Sequence, residues 1–244
     1  MTKEVGVKKE KILIIIPAYN EEANIRNVIL SLKNQNADFT CLVVNDGSKD
    51  NTQQEAESTG LATVIQLPSN LGIGGAVQTG FKYALYNNYD YAIQFDGDGQ
   101  HLPSEIPKIL EPLYKQECDS CIGSRFVVKT DGFQSTFMRR VGIRFFEFLN
   151  NLLIKQKITD STSGFRAYNK HAIAFLASHY PTDYPEPETI ILLGKNNFTI
   201  KEVSVEMQER QGGHSSISGL KSAHYMIKVS LAILMTAQRA QLRR

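Results

Sequence analysis

Short runs of aliphatic and β-branched residues recur along the first part of the chain: KILIIIP at 11–17, FTCLVVN at 39–45, ATVIQLP at 62–68 and YAIQFD at 91–96. Each has the length of a strand and is apolar at nearly every position, the pattern of strands buried on both faces of a parallel sheet. Segments of helical period lie between them. From Glu21 to Lys33, the residues Ile25, Val28, Ile29 and Leu32 share one face; from Gly74 to Tyr86, Val77, Phe81 and Leu85 do the same. This alternation predicts an α/β fold, a mostly parallel central sheet flanked by helices. After about residue 123 the alternation fades into polar loops around a helix expected over Thr136–Ile154. No repeat or low-complexity linker separates the two halves, so 1–218 reads as one domain.

The last stretch, 219–244, has an apolar centre from Tyr225 to Ala237, with Lys221 and Lys228 before or within it and Arg239, Arg243 and Arg244 at its end. It reads as a helix with an apolar side and basic ends, suited to an anionic membrane surface, to packing on the sheet, or to a partner subunit in a homo-oligomer. No run reaches the roughly 18 apolar residues of a membrane-spanning helix. The N-terminus MTKEVGVKKE is not followed by an apolar stretch with a cleavage site, so a cytoplasmic location is expected. A net charge of +2 without a Lys/Arg block gives no ground for a nucleic-acid partner. Cys41, Cys118 and Cys121 cannot form a paired framework, and the C-x-x-C lacks the second pair that a zinc site needs.

The chemistry gathers in the loops after the strands. DGDGQHLP (96–103) places Asp96, Asp98 and Gln100 directly behind an apolar strand. Two carboxylates one residue apart at a strand end supply hard oxygen ligands for Mg2+ or Mn2+, ions that share their coordination with substrate phosphates. NDGSKDN (45–51) offers Asp46 to a base or ribose, and Pro17, Ala18, Tyr19 and Glu21 of PAYNEE border the same edge, where open parallel sheets bind ligands. The glycine loop NLGIGGAVQTG (70–80) lacks the G-x-G-x-x-G order and the Lys-Ser/Thr of a P-loop, which argues against a dehydrogenase.

Taken in order, PAYNEE, VVNDGSKDNT, NLGIGGAVQTGF, DGDGQH, IGSRF, TSGFRAY and ERQGGHSS resemble a family 2 glycosyltransferase, and within it the branch of dolichyl- and polyprenyl-phosphate sugar synthases, over residues 11–218. The resemblance implies a GT-A (Rossmann-like) fold, with a nucleotide-binding half at about 11–122 and an acceptor half at about 123–218. It also implies inverting, metal-dependent transfer of a hexose or N-acetylhexosamine from a nucleotide sugar to a polyprenyl-phosphate carrier. By that resemblance Asp46 contacts the nucleoside, Asp96, Asp98 and Gln100 hold metal and diphosphate, Arg125 lies near the acceptor phosphate, and Arg210 closes over the donor, with His214 beside it. The branch often shows two arginines with a serine four residues after the first; here Arg139 and Arg140 are followed by Ile143, which has no hydroxyl to offer the phosphate.

A lipid phosphate is already an anion, whereas a sugar hydroxyl must lose a proton. Glu188 of TDYPEPETI is the candidate base for a hydroxyl acceptor, with Glu186 next; a Glu at a helix N-terminus is also favoured by the macrodipole alone. Two enzyme readings follow: charging of a lipid carrier, or extension of a lipid-linked saccharide in cell-wall or capsule synthesis. A non-catalytic sugar-nucleotide scaffold is a third, against which the intact Asp96 and Asp98 speak. Arg166 is expected on the acceptor side, or in a structural salt bridge. His101 is expected at a phosphate or capping a turn. Any membrane contact is expected to be peripheral, on the inner face of the cell membrane, or supplied by a partner protein.

Overall fold

The computed structural model describes residues 10–125, 147–208 and 220–241. Among the described residues seven strands, β1 (Ile12–Ala18), β2 (Thr40–Asn45), β3 (Ala62–Gln66), β4 (Tyr91–Gln94), β5 (Ser120–Ser124), β6 (Arg166–Asn169) and β7 (Ile200–Ser204), form one sheet in the order β3-β2-β1-β4-β6-β5-β7. All pairings are parallel except those of β6, which runs antiparallel to both β4 and β5. The helices are α1 (Ile25–Gln35), α2 (Thr52–Ser58), α3 (Gly72–Tyr86), α4 (Ile106–Tyr114), α5 (147–154), α6 (Lys170–His179), α7 (Pro185–Lys195) and α8 (Leu220–Gln241).

β1 anchors the core because its side chains are enclosed on both faces. Leu13 and Ile15 join Val77 and Phe81 of α3, Leu176 of α6, Ile190 of α7 and Ile233 of α8. On the other face Ile14 and Ile16 join Ile25 and Ile29 of α1 and Ile109 and Leu113 of α4. Each such burial is worth about 1.5–3 kcal/mol, more than an exposed ion pair such as Lys115–Glu111, worth at most ~1 kcal/mol. After β3 the chain crosses back over β1 and lays β4 on its other side. The strand order therefore reverses between β1 and β4, and a crevice opens beyond their carboxyl ends.

The four expected strands and both early helices form, with shifted helix starts. α1 begins at Ile25 rather than at Glu21; a turn closed on the Glu21 carbonyl leads into it, with the N–H groups of Glu21 and Glu22 held by the Thr52 hydroxyl (2.8 Å) and the Asp50 carboxylate (3.2 Å) of the neighbouring loop. α3 begins two residues earlier than expected, at Gly72, where Asp46 Oδ1 accepts the N–H of Leu71 (2.7 Å). The second half is not the run of polar loops that the sequence suggests: residues 166–169 and 200–204 add strands to the same sheet, and 170–179 and 185–195 are helices. Of the helix expected over 136–154, residues 147–154 are described and helical.

α8 packs on α7. Val229, Ile233 and Ala237 are buried there, and the Thr236 hydroxyl donates to Glu188 Oε2 (2.6 Å). Leu231, Leu234 and Met235 stay exposed between Lys228 and Arg239. Among the described residues no helix is long and apolar enough to cross a membrane.

α3 lies close on β1 at Gly80, where an added Cβ would stand 2.3 Å from Ile15 Cγ2. Gly80→Ala is expected to cost about 1–3 kcal/mol through overpacking, seen as a lower urea midpoint with an unchanged m-value. An unchanged midpoint would show that the helix can lift away without cost.

Candidate functional site

The crevice between the carboxyl ends of β1 and β4 holds a cavity of about 240 Å3, lined by Pro17, Ala18, Tyr19, Glu21, Asp46, Ile73, Ala76 and the turn Asp96–Asp98. Its walls are stitched together. Asn20 Oδ1 accepts the N–H of Lys49 (2.9 Å), the N–H of Asn20 donates to the Ser48 hydroxyl (3.0 Å), and Glu22 Oε2 accepts the N–H of Asn51 (2.9 Å). Asp46 is nearly enclosed. Burial pushes its carboxyl above the usual range, while the N–H groups of Leu71 and Gly72 pull the other way. A larger cleft of about 650 Å3 lies at the opposite sheet edge, around Asp90, Glu117, Asp119 and Lys170. There Asp119 is spent on Asn169 Nδ2 and the N–H of Thr199, and none of the loop motifs reaches it.

At the floor of the crevice Asp96 Oδ2 accepts a hydrogen bond from His101 Nε2 (3.0 Å). His101 is buried, stacked on Phe165 at 5.0 Å between ring centroids and met edge-on by Phe95 at 5.4 Å. It thus supports the acidic turn from beneath rather than standing at the surface. Burial works against the charged form of Asp96, but His101, Arg125 and Arg166 together hold its carboxyl below the usual range. Asp96 Oδ1 is buried with no hydrogen-bond partner. A charged oxygen in that condition calls for a cation or a donor from outside the chain. Asp98 Oδ1 accepts the N–H of Gln100 (3.1 Å), closing the turn. Among the described residues no three His, Cys, Asp or Glu side chains converge as a metal cluster. Two carboxylates and an amide oxygen suit an ion that draws its other ligands from a phosphate-bearing substrate.

The antiparallel β6 brings the segment before it to the same place. Gln94 pairs with Arg166, so TSGF (162–165) lies against the end of β4. A Cβ on Gly164 would stand 2.7 Å from Asp96 Oδ2, which leaves room for no other residue there. Arg125 follows β5 and is gripped by Asp160: Nε and Nη2 each donate to its carboxylate at 2.9 Å, and Nη2 donates to the Thr162 hydroxyl at 3.2 Å. Burial opposes the charge on Asp160, yet the Arg125 fork keeps that carboxyl below its usual range.

Arg166, expected on the acceptor side or in a structural salt bridge, is enclosed among carbonyls instead. It is 1% exposed, and its guanidinium donates to the carbonyls of Ser163 (2.7 Å), Glu186 (2.8 Å) and Ser161 (3.0 Å). The two glutamates of α7 also part ways. Glu188 accepts the N–H of Tyr184 (2.9 Å) and the Thr236 hydroxyl (2.6 Å), one on each oxygen. Glu186 faces Arg166 and Asp96; burial pushes its carboxyl up, Arg166 pulls it down, and Asp96 adds to the rise. Behind it lies a buried polar layer in which Tyr180 donates to Gln94 Oε1 (3.1 Å).

The structure thus brings together Pro17, Ala18, Tyr19, Glu21, Asp46, Asp96 and Asp98 around one cavity, with Gln100 in the adjoining turn and Arg125 in electrostatic reach of Asp96. Arg139, Arg210 and His214 lie outside the described residues, as does Ile143. Sequence reasoning missed Asp160 and Gly164. Gly164 was visible inside TSGFRAY, but its contact with Asp96 joins residues 68 apart in the chain.

Residues 13–176 match Glycosyl transferase family 2. The UDP-N-acetylglucosamine--dolichyl-phosphate N-acetylglucosaminyltransferase of Methanococcus voltae is 35% identical over 213 residues, which span 80% of this chain and 84% of that protein. The polyprenol monophosphomannose synthase of Mycolicibacterium smegmatis is 29% identical over 229 residues, 91% of this chain and 86% of that one. A crystal structure of glucosyl-3-phosphoglycerate synthase from Mycobacterium tuberculosis, in complex with Mn2+, uridine-diphosphate-glucose and phosphoglyceric acid, superposes with a TM-score of 0.71 at 18% identity, covering 94% of this chain and 80% of its own. At that identity the likeness speaks for the fold, the GT-A arrangement of a mostly parallel sheet between helices. Fold, crevice and relatives agree: the chain belongs to glycosyl transferase family 2 and is a glycosyltransferase.

Proposed function

We propose that the chain transfers a hexose or N-acetylhexosamine, with inversion, from a nucleotide sugar to a polyprenyl-phosphate carrier. The observation that carries the reading is the orphaned Asp96 Oδ1 beside Asp98, at the floor of a cavity whose far wall is Asp46. That spacing suits a nucleoside at Asp46, Pro17, Ala18, Tyr19 and Glu21 and a diphosphate at the acidic turn. Asp96, Asp98 and Gln100 would hold Mg2+ or Mn2+, whose chemistry there is to neutralise the charge that develops on the departing diphosphate. Arg210 and His214 would cover the donor, while Arg125, oriented by Asp160, and Arg139 would receive the acceptor phosphate. The acceptor oxygen attacks the anomeric carbon from the face opposite the diphosphate; its new bond forms as the bond to the diphosphate breaks. Holding the two partners in line is the main work of the chain's own residues.

The acceptor class draws support from the relatives' names, two of which print a dolichyl or polyprenol carrier. A location on the inner face of the cell membrane fits the exposed Leu231, Leu234 and Met235 of α8 between Lys228 and Arg239, an apolar strip with basic flanks. The same strip would serve a second copy of the chain or a membrane partner protein. A second reading, extension of a lipid-linked saccharide, needs a base. Glu186, raised by burial and facing Asp96, suits that role better than Glu188, whose two oxygens are spent on Tyr184 and Thr236.

Purified chain with Mn2+, a panel of UDP- and GDP-sugars and polyprenyl phosphate is expected to move label from one donor into the lipid phase, released again by mild acid. Asp98→Ala is expected to lower turnover by roughly 100-fold or more. Label that resists mild acid would defeat the lipid-phosphate reading. Glu186→Gln and Glu188→Gln are both expected to keep transfer to polyprenyl phosphate; a loss of ~100-fold or more in Glu186→Gln, the scale of general base catalysis, would favour the hydroxyl acceptor instead. Gly164→Ala is expected to cut kcat/KM by about 100-fold, the cost of displacing a catalytic group by an ångström, with the fold intact by circular dichroism. Unchanged kcat/KM would mean that the Asp96 carboxylate does not need its present seat.

A further inference from the structure

One carboxylate that belongs to none of the sequence motifs is tied to the site in series. Glu202 stands on β7, the outermost strand, opposite Ile122 of β5. Its side chain turns inward to the loop between α5 and β6. Oε2 accepts the N–H of Thr159 (2.8 Å) and the Thr159 hydroxyl (3.0 Å), and Oε1 accepts the N–H of Asp160 (2.7 Å). Asp160, oriented by that cradle, grips Arg125 through three bonds, two from the guanidinium at 2.9 Å and one from the backbone N–H at 3.3 Å. The Asp160 side chain is fully enclosed, whereas that of Arg125 keeps 27% of its surface in solvent. The series therefore starts at the sheet edge, passes through an enclosed carboxylate and ends on a guanidinium that solvent still reaches.

We propose that Glu202 is a positioning residue of the transferase, fixing from the edge strand the direction in which Asp160 presents the Arg125 guanidinium to the acceptor phosphate. The inference rests on the reading of Arg125 as the acceptor-phosphate residue. An arginine–carboxylate fork is planar and directional, so tilting the carboxylate swings the guanidinium with it. Asp160 has no freedom of its own once its N–H is fixed to Glu202 and both its oxygens are spent on Arg125 and the Thr162 hydroxyl. A charged residue on an edge strand is otherwise placed to discourage strand pairing with another chain. A residue in that role stands in water, and Glu202 instead commits both oxygens to the loop.

The experiment is a double-mutant cycle on the full chain, read as the Kd for farnesyl phosphate, with the Kd for UDP in the presence of Mn2+ as the donor-side control. Glu202→Gln is expected to weaken farnesyl phosphate binding roughly three- to tenfold, the worth of a charge-assisted strut, and to leave the UDP affinity unchanged. In an Arg125→Ala background the same substitution is expected to have no further effect on farnesyl phosphate. Equal weakening in both backgrounds, or a matching loss of UDP affinity, would overturn the proposal, because a residue that only holds the fold together acts regardless of Arg125. If Arg125→Ala itself leaves farnesyl phosphate binding unchanged, the assignment of Arg125 fails, and that failure is seen before Glu202 is touched. Should Glu202→Gln give little folded protein, Thr159→Ala, which removes the hydroxyl's bond to Glu202 and its longer contact with Ser124 but keeps both backbone bonds to Glu202, takes its place in the cycle. A smaller loss in the same direction is expected, and no loss would count against the strut.

Discussion

The antiparallel pairing of β6 with β4 and β5 is the constraint on which the site depends. In a sheet whose other strands run one way, the carboxyl ends gather at a single edge, and each strand delivers the loop that follows it. β6 runs against them, so the segment that precedes it, residues 160–165, arrives at that edge instead. This reversal lays Gly164 against Asp96 and sets Asp160 where Arg125 leaves β5. A parallel β6 would have carried these residues to the far edge, leaving Arg125 without the Asp160 carboxylate and Asp96 without the close backing of Gly164.

Around that constraint the electrostatics fall into two layers. Asp96, His101 and the Arg125–Asp160 pair lie toward the crevice, each charge matched by a partner of opposite sign or by a hydrogen-bond donor. Beneath them the Arg166 guanidinium is spent on three carbonyls and acts on Asp96 only through its field. A buried guanidinium satisfied by neutral oxygens keeps its full charge, and here that charge favours the ionised form of the carboxylate above it. Lysine could not replace it, since three separate nitrogens of the guanidinium reach the three carbonyls and an ammonium offers a single one.

The parallel strands were legible because burial on both faces writes a continuous apolar run, as in ILIII of β1. The loops behind them were legible because tight turns at strand ends favour Gly, Asp, Asn and Ser. β6 and β7 were not. RAYN and IKEVS are short and carry charge, and only their pairing partners make strands of them. The choice between Glu186 and Glu188 was closed to sequence reasoning for a related reason. Two residues apart on a helix they point in different directions, and which direction meets the crevice is set by the docking of α7. Arg166 misled because a lone arginine is rarely enclosed, and the carbonyls that enclose it include that of Glu186, twenty residues on. Asp160 and Glu202 are tied by a contact across 42 residues that no local pattern announces.

The bonds that join the loop after β1 to the loop after β2, Asn20 to Lys49 and Ser48 and Glu22 to Asn51, have a consequence for turnover. Loops left free would have to be ordered each time a donor arrived, and that lost entropy would be subtracted from its affinity at every cycle. Here the ordering happens once, when the chain folds. The end of the crevice proposed for the nucleotide is preorganised, so on that reading the binding energy of the donor is available for aligning its sugar with the acceptor.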